Sequence, residues 1–104
     1  MNTLIVEKET LAQSVSFARD MFTVALNDGR ILTVPLAWFP RLMHGTAAER
    51  AHYRLIGNGS GINWPALDED ISVEGLLLGR PSAENPKSLE RWLSKRKNTG
   101  RHRR

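Results

Sequence analysis

The sequence contains no cysteine among its 104 residues, and this absence excludes disulfide bonds and thiolate zinc sites. It also lacks any apolar run near the ~18 residues that a membrane-spanning helix requires. The first residues do not form the basic start and apolar centre of a secretory signal. These absences predict a cytoplasmic protein that does not contact a membrane. Charged residues make up 25% and hydrophobic residues 40%, as in an ordinary globular domain.

The positive charge is concentrated at one end of the chain. Residues 1–80 contain seven Lys or Arg and nine Asp or Glu, whereas residues 81–104 contain eight and two. The formal net charge of +4 therefore arises in the last segment. This shift in composition predicts three parts: an N-terminal extension at 1–11, a compact domain at 12–80, and a basic C-terminal helix with a frayed end at 81–104.

Period-two alternation of apolar residues, the pattern of a half-buried strand, runs through residues 15–26. The Asp28–Gly29 pair that follows suits a tight hairpin turn, because both residues tolerate a positive φ. Residues 31–34 then predict the partner strand, and Pro35 ends it because proline cannot donate a backbone hydrogen bond. We therefore expect a three-stranded antiparallel meander.

Short helices and a second hairpin are expected between the meander and the basic tail. Pro40 suits the first turn of a helix, and Thr46 with Glu49 matches a capping box. Two extended pieces, around 53–56 and 61–64, are joined by a glycine-rich loop and predict the hairpin. The predicted fold class is α+β, with a small antiparallel sheet of about five strands and two or three short helices packed on it.

Aromatic and charged residues are expected to hold this body together. The residues assigned such a structural role are Asp28, Gly29, Trp38, Pro40, Arg41, Trp64, Pro65, Asp68 and Asp70. Trp38 and Trp64 are too large for so small a chain to leave in water. Arg41 and Arg54 are predicted to pair with the acidic residues at 68–70, although exposed guanidinium groups would also bind an anion.

Three consecutive acids, residues 68–70, admit two interpretations. Carboxylates suit Mg²⁺ or Ca²⁺, but adjacent residues do not converge on one ion, and no nucleophile with a neighbouring base accompanies them. We expect instead that the acids precede a helix at 72–78, where negative charge meets the positive end of the helix dipole. Ser72 or Asp70 would cap that helix, and Gly79 would end it.

The remaining histidines and glycines do not predict a catalytic centre. His44 and His52 lie eight residues apart, which is not the helical spacing of a zinc pair. The glycines at 57–61 precede an extended segment and not the helix that a dinucleotide site needs. We therefore predict no metal, no cofactor and no catalytic residue, and we expect a protein that is not an enzyme.

The C-terminal segment gives the most specific functional prediction. An Asn85 cap and Pro86 start an amphipathic helix over 86–97. The residues predicted to bind a partner protein are Leu89, Trp92, Leu93 and Arg96. The same apolar stripe would equally suit folding back on the protein's own sheet. The cations predicted to bind DNA or RNA are Arg91, Lys95, Arg96, Lys97, Arg101, Arg103 and Arg104, with no acid among residues 91–104.

The segment from about Val15 to Leu78 resembles a small bacterial family known as domain of unknown function 2442. The resemblance rests on DGR at 28–30, VPLAWFPRL at 34–42, TAAER at 46–50, RLIGNGSGINWP at 54–65 and LDEDISVEGLL at 67–77. Asn63 and Gly45 depart from the family, which commonly has His and Ala at these positions. The resemblance implies a compact α+β fold without a known catalytic centre, often encoded beside a second small gene as in toxin–antitoxin modules.

The resemblance and the basic tail together predict a non-enzymatic binding module. Its expected role is that of an antitoxin-like partner of a cognate small protein, bound through the C-terminal helix. A nucleic-acid-binding transcriptional regulator is the alternative. The sequence leaves open a homodimer and the pairing of residues 1–11 with another protomer.

Overall fold

A computed structural model describes the backbone of residues 9–102 and the side chains of residues 9–97. Two three-stranded antiparallel sheets make up most of this part of the chain. The first contains, in order, β1 (Ala12–Ala18), β2 (Met21–Leu26) and β3 (Ile31–Pro35). The second contains β4 (Arg54–Ile56), β5 (Gly61–Trp64) and β6 (Glu69–Ser72). The predicted meander and the second hairpin are both confirmed.

Four α-helices are described within residues 9–102: α1 (Pro40–Met43), α2 (Ala47–Ala51), α3 (Val73–Leu77) and α4 (Pro86–His102). Single 3-10 turns lie at Leu36–Trp38, Gly57–Gly59 and Pro65–Leu67. The predicted α+β class is therefore confirmed. In this part of the chain, no helix is both long and apolar enough to cross a membrane.

Local sequence explains where these elements begin and end. Strand β2 alternates half-buried and buried residues, as its period-two pattern predicts. The turn after it contains Gly29 with a φ of 94°, a conformation that favours glycine. Helix α2 begins with the predicted capping box, in which Thr46 and Glu49 each accept a hydrogen bond from the other's backbone amide. Pro40 occupies the first turn of α1, as expected.

The prediction for the acidic segment is confirmed in part. The acids precede a helix, as expected, but Asp68 ends a 3-10 turn while Glu69 and Asp70 lie in strand β6, which pairs with β5 and was not predicted. Alternation places Glu69 and Ile71 on one face of the sheet and Asp70 and Ser72 on the other. Helix α3 starts only at Val73, and Ser72 caps it by accepting a 2.9 Å hydrogen bond from the Gly75 amide. Two of the three acids therefore belong to a strand that leads directly into the helix.

The predicted single sheet of about five strands is also corrected. The chain forms six strands in two sheets, because the segment with α1 and α2 separates the meander from the second group of strands. Gly59 lies at the junction, with a φ of 110° and no room for a side chain beside the carbonyl oxygen of Ala12. A residue with a Cβ at position 59 would push the second sheet away from β1.

Both sheets contribute to one hydrophobic core. Its fully buried large side chains are Phe22, Val24, Leu42, Ile62, Trp64, Leu67 and Val73. The rings of Phe22 and Trp64 meet edge to face, with centroids 6.4 Å apart, and the indole NH of Trp64 donates a 3.0 Å hydrogen bond to the carbonyl oxygen of Arg50. The buried position of Trp64 confirms the prediction, whereas Trp38 is only partly buried.

Candidate protein-binding helix and its docking site

Helix α4 begins where the sequence predicts. The side chain of Asn85 accepts a 2.8 Å hydrogen bond from the Ser88 amide, and Pro86 is the first helical residue. The helix continues to His102, beyond the predicted end at residue 97. The half-buried residues between 87 and 97 are Ser88, Leu89, Trp92, Leu93 and Arg96. The four residues predicted to bind a partner thus form the side of α4 that faces the protein's own body.

Arg41 of α1 makes the principal connection between the body and the segment that leads into α4. Its guanidinium donates to both carboxylate oxygens of Glu84, at 2.7 and 2.9 Å. It also donates to the backbone carbonyl of Asp68 at 3.0 Å and lies 3.2 Å from the Asp68 carboxylate. The side chain of Glu84 is only 7% exposed. Such a bidentate pair fixes the orientation of both partners.

Trp92 lies close to two guanidinium groups. The Cζ atom of Arg41 is 5.2 Å from the centroid of the indole, and that of Arg96 is 4.7 Å away. Both distances fall within the range of cation–π attraction, and tryptophan is the best aromatic for that contact. Trp92 also packs against the hydrophobic core, so the apolar side of α4 folds back on the protein's own body.

Arg96 forms the ion pair that joins α4 itself to the body. Its two terminal nitrogens donate to the carboxylate oxygens of Glu49, at 2.9 and 3.1 Å. Glu49 also accepts from the Thr46 amide in the capping box of α2. One carboxylate thus starts α2 and anchors α4. We refer to Arg41, Glu49, Glu84, Trp92 and Arg96 as the docking contact.

The docking contact depends on ionised carboxylates. Hydrogen bonding from Arg41 holds the pKa of Glu84 below its usual value. Hydrogen bonding from Arg96 does the same to the pKa of Glu49. A carboxylate with a lowered pKa stabilises the folded state above its ordinary pKa of about 4.3 and loses that contribution as the pH falls further. Acidification below that value therefore weakens the attachment of α4.

Glu69 behaves in the opposite way. It shares the inner face of β6 with Ile71 and lines a cleft of about 230 Å³, together with Phe39 and Leu76. Burial raises its pKa to about 7, against a smaller opposing effect of the Arg41 charge. The sequence analysis grouped Glu69 with Asp68 and Asp70 as acids that precede a helix. Alternation along β6 is the signal that places Glu69, but not the adjacent Asp70, on the inner face of the sheet.

Exposed cations predominate on the outer side of α4, which also carries the exposed Glu90. Lys87, Arg91 and Lys95 are exposed and recur every fourth residue, about 6 Å apart along the helix axis. No salt bridge joins these three side chains to a carboxylate among residues 9–97. We call these three residues the cationic stripe. Their position follows from docking, since the inner side of the helix is turned toward the body.

The family described as protein of unknown function (DUF2442) matches residues 12–82. The chain belongs to this family. Its match ends just before α4, so the docking contact joins residues inside the DUF2442 match, such as Arg41 and Glu49, to residues beyond it, such as Trp92. No curated protein sequence matches this DUF2442 chain.

Two solved structures share the fold of this DUF2442 protein. A protein of unknown function from Rhodospirillum rubrum has a TM-score of 0.64 at 24% identity, covering 74% of this chain and 95% of that chain. An uncharacterised protein from Chromobacterium violaceum has a TM-score of 0.61 at 23% identity, covering 70% of this chain and 69% of that chain. Both similarities are similarities of fold.

The other predicted interactions fall mainly on the surface. Asp28 pairs with Arg30 at 2.8 Å in the hairpin turn. Arg41 reaches Asp68 as expected. Arg54 instead donates to Asn63 at 2.9 Å, and Asn63 in turn donates to Asp70 at 2.6 Å. These three side chains form one polar row across the second sheet. Pro65 begins the 3-10 turn before β6.

The nucleic-acid residues predicted from the sequence divide into three groups. Arg91, Lys95 and Lys97 are exposed, whereas Arg96 pairs with Glu49. The side chain of Arg101 lies outside the described side chains, and residues 103–104 lie outside the described chain. His44 and His52 are exposed. In the described part of the chain, no three His, Asp or Glu residues are grouped as a metal site would need.

Proposed function

We propose that the protein is a non-enzymatic binding module, the antitoxin-like partner of a cognate small protein in a two-gene module. Helix α4 would supply the binding surface. The observation that carries this proposal is the cationic stripe, which remains exposed on a helix whose other side is docked. A helix fixed to a folded body presents its cations in one arrangement, so less conformational entropy is lost when a partner binds.

The docked position of α4 refines the choice of binding residues. Trp92 and Arg96 contact the body, so binding through them would require α4 to leave its site and break the ion pair of Arg96 with Glu49 and the contact of Trp92 with Arg41. Binding through the cationic stripe requires no such change. We therefore place the partner on the side of Lys87, Arg91 and Lys95, and we expect an acidic surface on that partner.

The test uses the product of the adjacent reading frame, mixed with the full chain and measured by calorimetry. The triple change K87E/R91E/K95E is expected to weaken binding at least a hundredfold, because it places like charges opposite an acidic surface. The control K87Q/R91Q/K95Q, which removes charge without reversing it, should fall between this variant and the wild type. Wild-type affinity in the triple Glu variant would contradict the proposal.

A comparison with Trp92→Ala shows whether the partner binds the outer or the inner side of α4. If α4 stays docked, this change affects binding only through looser docking, and the loss should be under tenfold. A complete loss with Trp92→Ala, beside an unchanged triple Glu variant, would mean that α4 leaves the body and binds through its inner side.

The cationic stripe also supports a second candidate function, that of a nucleic-acid-binding regulator. Phosphate contacts by Lys and Arg give an affinity that falls steeply with salt. Titration of a fluorescent DNA duplex at low and at physiological salt tests it. Binding at low salt that the triple Glu variant abolishes would favour this function, and no binding at low salt would remove it.

A further inference from the structure

Strand β1 is an edge of the first sheet, whose order is β1-β2-β3. It pairs with β2 through Ser16 with Thr23 and Phe17 with Phe22, and a two-residue turn at 19–20 joins the strands. In an antiparallel pair, alternate residues direct their backbone groups toward the partner strand and away from it. The Val15 amide donates to the hydroxyl of Tyr53 at 3.1 Å, so Val15 directs its amide away from β2.

Phe17 follows two residues later and therefore presents its backbone N–H and C=O on the same outer edge. In the part of the chain that the structure describes, no hydrogen bond from another element reaches these two groups. An edge strand with such groups exposed is a template on which another strand can pair.

A cleft of about 470 Å³ lies along this edge. Val15, Phe17 and Arg19 line it on the side of the strand, and Arg50 and Tyr53 line it on the other side. The opposite wall is helix α2, where Ala47 and Ala51 are small and leave space beside the strand. Phe17 and Tyr53 provide apolar surface. A cleft of this volume lies within the range of pockets that bind ligands.

The charged residues of the cleft are both cations, and no acid lines it. Arg50 is fixed by 2.7 Å hydrogen bonds to the carbonyl oxygens of Leu42 and Met43, and its Cζ lies 5.9 Å from the centroid of the Phe17 ring. Arg19 is exposed at the turn and has a φ of 55°, which a residue with a side chain rarely adopts. Asp20 beside it does not line the cleft.

We propose that the outer edge of β1 binds an extended acidic peptide segment of another protein, which adds to the sheet as a strand. Backbone pairing at Phe17 would supply affinity, and carboxylates on the peptide would pair with Arg19 and Arg50. This surface is separate from the cationic stripe, so the proposal does not depend on the function proposed above.

The experiment is an NMR titration of the ¹⁵N-labelled full chain with a synthetic peptide pool, acetyl-Glu-X-Val-X-Val-X-Glu-amide, in which X is an equimolar residue mixture. The expected result is saturable amide shifts at Val15–Arg19 and in α2. A pool with Lys in place of Glu, and a pool with N-methylated valines that cannot donate, should each bind at least tenfold more weakly.

Arg19→Gly is the informative variant, because glycine accepts a positive φ and should leave the fold at least as stable. It is expected to weaken binding of the pool about fivefold, the effect of one exposed ion pair. Arg30→Gly, which removes a guanidinium from the other hairpin turn, is the matched control and should bind as the wild type does.

Three results would overturn the proposal: shifts confined to α4 or absent altogether, equal binding of the N-methylated pool, or equal effects of Arg19→Gly and Arg30→Gly. A synthetic peptide with the sequence of residues 1–8 provides the remaining test. If it displaces the pool and binds more tightly than the pool does, the edge belongs to this protein's own N-terminal segment and not to a foreign acidic segment.

Discussion

The body and helix α4 are held in place by different forces. The body buries aromatic and aliphatic side chains from two sheets, with Phe22, Leu42 and Trp64 completely enclosed. The C-terminal segment attaches through the ion pair of Arg41 with Glu84 before α4 and that of Arg96 with Glu49 within it. Trp92 of α4 packs against the edge of the core and lies close to the guanidinium groups of Arg41 and Arg96. An apolar core is non-directional and tolerates small shifts, whereas bidentate ion pairs require one geometry. The body is therefore expected to stay folded when α4 detaches, and α4 is expected to keep one orientation while it is attached.

Two neighbouring residues of α1 show the contrast most directly. Leu42 points into the core and is fully buried, whereas Arg41 points to Glu84 and Trp92. The two side chains leave the same helical turn, but they support different regions. Substituting each of them separately therefore tests whether the regions are independent.

Leu42→Ala should have the largest effect. Loss of a fully buried leucine removes apolar contacts and leaves a cavity, which costs about 3 kcal/mol of the free energy of unfolding. Leu89→Ala removes the same atoms from the half-buried side of α4 and should cost less than about 1 kcal/mol. Urea denaturation followed by circular dichroism measures both. Equal losses would show that α4 is part of the core, and the distinction between the regions would fail.

Glu69→Gln should have a smaller effect that depends on pH. Burial raises the pKa of Glu69 to about 7, while the unfolded chain releases this proton near pH 4.3. Between these values the folded state keeps the proton and the unfolded state does not, so this group makes stability fall as the pH rises. Gln cannot ionise, so the variant should match the wild type at pH 4 and exceed it at pH 8.

Thermal unfolding of both proteins across this range provides the measurement. Asp70→Asn is the matched control, because Asp70 lies on the opposite, exposed face of the same strand. A stability difference for Glu69→Gln that stays constant from pH 4 to pH 8 would contradict the burial of this carboxyl. The two regions should therefore respond to different pH ranges. The stability of the body changes between about pH 4.3 and pH 7, whereas the attachment of α4 weakens only below about pH 4.3.

Local signals in the sequence predicted the elements well, and charge complementarity predicted the pair of Arg41 with Asp68, but the two ion pairs that anchor the C-terminal segment were not predicted. The alternation through β2, the capping box at Thr46 and Glu49, and the Asn85 cap each depend on residues a few positions apart. The pair of Arg41 with Glu84 joins residues 43 apart in the chain, and that of Arg96 with Glu49 joins residues 47 apart. No periodicity or motif connects such positions.

Strand β6 was missed for a different reason. It has only four residues, and two of them are acids that are uncommon in strands. A helix start with Ser72 as its cap follows immediately, so the acids resembled the charged approach to that helix. The alternation of Glu69 and Ile71 with Asp70 and Ser72 was the contrary signal, but four residues are too few to outweigh composition.

The measurement that tests the central claim most directly is amide hydrogen exchange in the wild type, in Arg41→Ala and in the surface control Arg54→Ala. Removal of Arg41 leaves Glu84 buried without its partner, which favours release of this segment into water. An isolated helix of 17 residues is marginally stable. We predict that Arg41→Ala loses protection across residues 88–96 and keeps that of β2, while Arg54→Ala changes neither. Full protection of α4 in Arg41→Ala would contradict the account.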